Sequence, residues 1–379
     1  MSGARRCRLR RRQVLAGSLA ALGSSIAGAF GAASASAETE SLKRLAAAKG
    51  LIYGTAIAAN QILHDPAFAA LVERQAGLVV PENDMKWQNI NRGAPGQDDY
   101  GPADTIAGFA VENGMVLRGH NILWYYRTPW WFFKLPTRAA QERALRDHVT
   151  TLVARYRGIV HSWDVVNEPL EPTDGSHNWL RQALGPGYVD LAYRLTRETD
   201  PQARLVVNEH DIELDSPDQE IRRRVLLDLL QRMQKAGTPV DAVGIQAHLR
   251  AVGGPPFSAR RLRRFLADIA ALGLTIEITE LDVTDEDAPA DIAARDRLVA
   301  DSYRRFLDAA LDEPAVKMVV TWGLSDRHSW IVRHETSQSR WRKDGLPSRP
   351  LPFDADLHPK PAFDAMAEAF TYAPARPPG

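Results

Sequence analysis

The chain has 379 residues, with 47 basic and 47 acidic side chains, a formal charge of zero, and 45% hydrophobic residues. Six of the arginines lie in an acid-free head before position 13, so the chain beyond residue 37 carries 41 basic against 47 acidic groups. That formal charge of −6 excludes a basic footprint for nucleic acid. The single cysteine, Cys7, belongs to the same head, so the remaining chain has no disulfide and no thiol chemistry and must be held by its core.

Residues 1–37 read as an export signal. A basic head (Arg5, Arg6, Arg8, Arg10, Arg11, Arg12) precedes a mildly apolar run from Val14 to Phe30 and a small-residue cleavage site, Ala35-Ser36-Ala37. Arg11-Arg12 before Gln13-Val14-Leu15 resembles a twin-arginine signal. The apolar run is short and interrupted by glycine, so no stable membrane anchor is expected and the product should be periplasmic or secreted.

Eight short apolar runs follow: Ile52 to Ile57, Leu78 to Pro81, Val116 to His120, Ser162 to Asn167, Arg204 to Asn208, Ala242 to Gln246, Leu274 to Glu280 and Met318 to Trp322. Between them lie segments of helical period. Arg138 to Arg157 places Leu145, Val149, Leu152 and Val153 on one face; Gln219 to Ala236 does the same with Ile221, Val225, Leu229 and Met233 and stops at Gly237. Arg260 to Leu272 and Ala294 to Leu311 show the same pattern. Alternation of strand and helix predicts an α/β fold, a (β/α)₈ barrel forming a single catalytic domain over residues 38–372, with 373–379 as a flexible proline-rich tail. The competing architecture, a doubly wound open sheet, calls for a glycine-rich turn after the first strand. Gly54-Thr55-Ala56-Ile57 has none.

Chemistry in such a barrel collects at the carboxyl ends of the strands. Here those ends carry Glu82-Asn83-Asp84-Met85-Lys86-Trp87, then Arg118-Gly119-His120-Asn121 with Trp124, Tyr125 and Tyr126, then Asn167-Glu168, Asn208-Glu209-His210, Gln246-Ala247-His248, Thr279-Glu280-Leu281-Asp282, and Trp322 followed by Asp326 and Trp330. The most informative is Trp163-Asp164-Val165-Val166-Asn167-Glu168-Pro169, a buried strand that delivers a carboxyl group where proline ends it. Glu168 and Glu280 end non-adjacent strands of one barrel and so can face each other, the pair that glycoside hydrolysis requires. Asp282 shares a face with Glu280, and His248 is placed to bridge them, keeping Glu280 ionised as a nucleophile. Either of these two could equally be a buried structural ion pair.

Aromatic side chains in the loops (Trp87, Trp124, Tyr125, Tyr126, Trp130, Trp131, Trp322, Trp330) suit the apolar faces of pyranose rings, whereas Phe132 and Phe133 read as core. A metal site is the alternative use of His120, His161, His210 and His248. No two of them have ligand spacing on one element, so neither metal nor cofactor is expected.

Together these motifs resemble the glycoside hydrolase family 10 xylanases, over almost all of residues 42 to 372. The resemblance implies a retaining endo-acting β-1,4-glycanase with Glu168 as acid/base and Glu280 as nucleophile. It implies that Glu82, Asn83, Lys86, His120, Asn167, Gln246, Trp322 and Trp330 hold the sugar and that His248 and Asp282 orient the nucleophile. Two positions depart from the family: Tyr125 stands where a histidine is usual and Arg127 where a glutamine is common. The segment from Val332 to Lys343 (Arg333, His334, Arg340, Trp341, Arg342) is also longer and more basic, reading either as a solvated loop or as a rim for acidic xylan substituents. The expected protein is a monomeric, exported endo-β-1,4-xylanase whose partner is its polysaccharide substrate, xylan. The alternatives are a relative cleaving another β-1,4-glycan and a non-catalytic sugar-binding barrel.

Overall fold

The computed structural model describes residues 41–171, 177–332 and 340–376. The expected signal and most of the 332–343 loop lie outside these residues. Among the described residues the strands are β1 Ile52–Ile57, β2 Leu78–Pro81, β3 Val116–Gly119, β4 Val160–Asn167, β5 Arg204–Glu209, β6 Ala242–Ile245, β7 His248–Arg250, β8 Thr275–Thr284 and β9 Val316–Thr321. They pair in parallel in the order β6-β5-β4-β3-β2-β1-β9-β8-β7, and a further β6–β8 pairing closes eight of them into a barrel. All eight expected runs are barrel strands. The ninth, β7, arises because β8 runs past the rim and its last three residues, Asp282 to Thr284, pair with His248–Arg250.

The long helices, Arg138–Arg155, Pro217–Lys235, Ala259–Ala271 and Ile292–Ala310, start behind Thr137, Ser216, Ser258 and Asp291. Each of these side chains accepts a backbone N–H three residues on, satisfying a donor the helix leaves open. Gly237 follows the second at φ +63°, a conformation that a residue without Cβ adopts at least cost.

Leu145, Val149, Leu152 and Val153 are buried as the period requires. The face expected for Pro217–Lys235 is only partly the buried one. Ile221 and Val225 are exposed, on an apolar groove shared with Val189, whereas Arg222, Leu226, Leu230 and Met233 point inward. The stripe is rotated by one residue because Arg222 is drawn in by the buried Glu209 carboxylate at 2.5 Å, and apolar periodicity gives an arginine no weight.

The barrel interior is charged and fully paired at one level. Arg118 donates to Glu277 at 2.8 Å and to both oxygens of Asp164, and all three side chains are buried. Gly119, next in β3, lies under the indole of Trp163: a Cβ there would sit 2.1 Å from the ring. Gly119→Ala should therefore destabilise the fold by roughly 1–3 kcal/mol, read from the denaturant midpoint. A midpoint unchanged from the wild type would show that β3 and β4 can part at no cost.

The described part of the expected tail also differs from expectation, residues 377–379 lying outside the described residues. Residues 373–376 are anchored, with Ala373 and Arg376 buried and the Arg376 side chain donating to the carbonyls of Leu311 (2.7 Å) and Val316 (3.1 Å). An arginine with apolar neighbours thus covers carbonyls left open where the helix Ile292–Ala310 gives way to β9. No helix among the described residues is long and apolar enough to cross a membrane.

Candidate active site

One cleft of about 650 Å³ opens at the carboxyl ends of the strands and is lined by both glutamates. Glu168 follows directly on β4 with φ +54°, a left-handed backbone that turns its side chain off the strand line. Its carboxylate accepts the indole N–H of Trp124 at 2.8 Å, the amide of Gln246 at 3.0 Å and that of Asn167 at 3.3 Å. Glu280 lies within β8, where the register against β9 slips by one residue between Ile278 and Leu281. Such a bulge re-aims side chains, here at the residue the chemistry needs. Asn208 donates to Glu280 at 2.7 Å and to Asn167 at 2.8 Å, and is itself held by the Thr279 hydroxyl at 2.7 Å.

His248 sits between Glu280 (Nε2 to Oε2, 3.4 Å) and Asp282 (Nδ1 to Oδ1, 2.9 Å), and Trp330 donates to the other oxygen of Asp282 at 2.6 Å. Burial lowers the His248 pKa, but the adjacent Asp282 outweighs it and brings the imidazole up to about 9. Burial acts oppositely on Glu280, raising its pKa; the His248 hydrogen bond and the charges of His120, His248 and Lys86 nevertheless hold it at about 2. Glu280 is thus a buried carboxylate kept ionised across the working range. His248→Asn removes the first of these influences, so the acid limb of the kcat/KM profile should move to higher pH. An unmoved limb would show that His248 does not tune Glu280.

The remaining candidates fall into two groups. Glu82, Asn83, Lys86, His120, Trp124, Tyr125, Asn167, Gln246, Trp322 and Trp330 all line the cleft. Glu82, Asn83 and Lys86 form a chain, Asn83 donating to Glu82 at 3.1 Å and Lys86 to Asn83 at 3.0 Å. The Lys86 ammonium lies 4.9 Å from the Trp124 ring centre, and its burial takes its pKa down to about 8 against the pull of Glu280. His120 is fixed by Asp164 at 2.7 Å, which leaves its other nitrogen toward Asn121. Asp282 does not reach the cleft; it is fully buried and acts through His248 and Trp330.

Trp87 corrects an expectation. It is buried, stacked on His148 with ring centres 4.2 Å apart and edge-on to Trp131, so it belongs to packing beneath the loop. Its helix, Trp87–Ile90, turns it away from the rim just after Lys86. Trp131 is likewise buried, donating to Asn91 at 3.0 Å, and Phe133 is exposed where core was expected.

Tyr126, Arg127, His210 and Arg340 also line the cleft, together with Asp211 and Glu213, which no sequence motif singles out. Burial lowers the His210 pKa, but the Glu168 charge and the Asp211 bond carry it up to about 10, with its Nε2 3.8 Å from Glu168. The polar end of β5, Asn208-Glu209-His210, thus belongs to the site as Asn167-Glu168 of β4 does, and Asp211 and Glu213 follow it in the chain. Of the four histidines considered for a metal, His120, His210 and His248 each pair with an aspartate, and His161 is exposed near the amino end of β4. The one gathering of ligand-type atoms among the described residues is Asp354, Asp356 and His358; none of these lines the cleft.

Comparison with known proteins agrees with this geometry. The model of "Glycosyl hydrolase family 10" matches residues 41–369. Endo-1,4-beta-xylanase A of Phanerodontia chrysosporium is 34% identical, over 89% of this chain and 78% of its own. Endo-1,4-beta-xylanase 3 of Hypocrea jecorina is 30% identical over 86% and 85%. Among solved structures, xylanase 10B from Thermotoga petrophila RKU-1, in complex with xylobiose, is 30% identical and superposes with a TM-score of 0.76 over 88% of this chain and 98% of that one. An eight-stranded barrel with two buried glutamates at its carboxyl rim, matched along almost its whole length, places the chain in glycosyl hydrolase family 10.

Proposed function

We propose that the protein is an exported endo-β-1,4-xylanase that cleaves xylan with retention of anomeric configuration. The observation that carries this is the unequal setting of two buried glutamates in one cleft: Glu280 is ringed by cations and amide donors that keep it ionised, while Glu168 is held by Trp124, Gln246 and Asn167. In the first step the Glu280 oxygen attacks the anomeric carbon and the glycosidic bond breaks, while Glu168 gives its proton to the departing oxygen. In the second, Glu168 takes a proton from water, the water oxygen bonds to the anomeric carbon, and Glu280 departs as carboxylate. Lys86, Asn83 and His120, which line the cleft, supply hydrogen bonds that position the sugar.

A second reading, cleavage of a different β-1,4-glycan, is favoured by Tyr125 and Arg127, which stand on the cleft wall. Rates on xylan, glucan and aryl xylobiosides and cellobiosides separate the two. Xylan should be fastest, and faster cleavage of glucosides than xylosides would overturn the choice. Export rests on residues 1–37. The purified extracellular or periplasmic protein should begin at residue 38, and Arg11-Arg12 replaced by a lysine pair should leave it in the cytoplasm; export unaffected by that change would exclude the twin-arginine route.

A further inference from the structure

Most buried or half-buried arginines among the described residues are met by carboxylates, Arg118 by Asp164, Arg222 by Glu209, Arg295 by Asp285, Arg349 by Asp296, and Arg376 is met by backbone carbonyls. Arg127 is the exception on the cleft wall. It ends the short turn Tyr125–Arg127, its Nε–H is buried without an acceptor, and no acid among the described residues pairs with it. Burial lowers its pKa with no acidic neighbour to offset the effect, and its charge also bears on nearby Lys86. Arg340, over the ring of Trp330 in the same cleft, likewise has an Nη1 without an acceptor.

In a half-buried guanidinium, an N–H cut off from water and lacking an acceptor is unfavourable, and hydroxyl groups compensate the charge poorly. A carboxylate compensates it well, because the guanidinium fork matches two oxygens at once. Neutral xylan offers hydroxyl and ether oxygens only. A uronic acid residue on the xylan chain offers the missing anion, with an apolar ring face suited to the surrounding Tyr125 and Tyr126.

We propose that Arg127 anchors the carboxylate of a uronic acid carried by the xylan chain, so that acidic xylan is the preferred substrate. The inference rests on the xylanase reading above. Its test compares glucuronic-acid-substituted xylan with the same polymer after carboxyl reduction, which turns each carboxylate into a hydroxymethyl group and leaves the chain intact. Wild-type kcat/KM should be at least about tenfold higher on the acidic polymer, the scale of one charged hydrogen bond. That ratio should shrink with added salt, since exposed parts of the contact are screened.

Arg127→Gln should bring the ratio close to one, and Arg127→Lys should keep only part of it because the fork is lost. Loss of folded protein lowers both rates together and does not move a ratio. Calorimetric titration of the Glu280→Gln protein with an acidic xylo-oligosaccharide should show the same about tenfold weakening when Arg127→Gln is added. A wild-type ratio near one, or a ratio unchanged by Arg127→Gln, would overturn the proposal while leaving the xylanase reading standing. Cleavage of neither polymer, with another β-glycan cleaved, would overturn both.

Discussion

Glu280→Gln is expected to lower kcat on xylan by at least about 10²-fold, a floor set by the contribution of one positioned catalytic group. The substitution keeps the shape of the side chain, and an amide oxygen still accepts from Asn208, which stands 2.7 Å away in the native site. What is lost is the negative charge held at the centre of His248, His120 and Lys86. No covalent glycosyl-enzyme can form without it, so the loss falls on kcat while oligosaccharide binding persists. The fold should melt within a few degrees of the wild type. Activity within tenfold of wild type would sink the assignment of the nucleophile. Proton NMR of the wild-type reaction provides the companion measurement: the first product released should carry the β anomer, and initial release of the α anomer would mean inversion.

Glu168→Gly should be as damaging on xylan, by about 10²- to 10⁴-fold, but in a way that depends on the leaving group. Glycine accepts the left-handed backbone at this position (φ +54°) without strain, so the variant isolates the loss of the carboxyl group. Departure of a natural sugar needs a proton; departure of dinitrophenolate does not. On dinitrophenyl xylobioside the first step should therefore remain fast, the glycosyl-enzyme on Glu280 should accumulate as a burst, and turnover should stall for want of a base. Azide, which needs no base and fits the space vacated beside Trp124 and Gln246, should restore turnover and yield a β-glycosyl azide. Equal losses on both substrates with no effect of azide would remove Glu168 from the acid/base role.

Much of the architecture was legible because its signals are local. Each barrel strand is a short apolar run, and the four long helices begin behind Ser, Thr or Asp side chains that cap them. The two glutamates were legible for a related reason: a carboxyl group at the end of an apolar strand is conspicuous, and the barrel topology brings such ends to one rim. The errors came where burial depends on a partner distant in sequence. Arg222 turns inward because Glu209 lies behind it, and Arg376 is buried because it donates to the carbonyls of Leu311 and Val316. Trp87 has the place of a sugar platform, just past a strand end, whereas His148, sixty-one positions away, stacks on it.

By itself, then, the order of residues determined the barrel, the strand ends and the identity of the two carboxyl groups, since period, capping and strand termination act over a few residues at a time. Only the tertiary structure decided what surrounds each carboxyl group. Asn208 reaches both Asn167 and Glu280, and His248 sits between Glu280 and Asp282. Arg127 is left without an anion. These relations join strands far apart in the chain, and it is closure of the barrel, through the pairing of β6 with β8, that brings them within hydrogen-bond range.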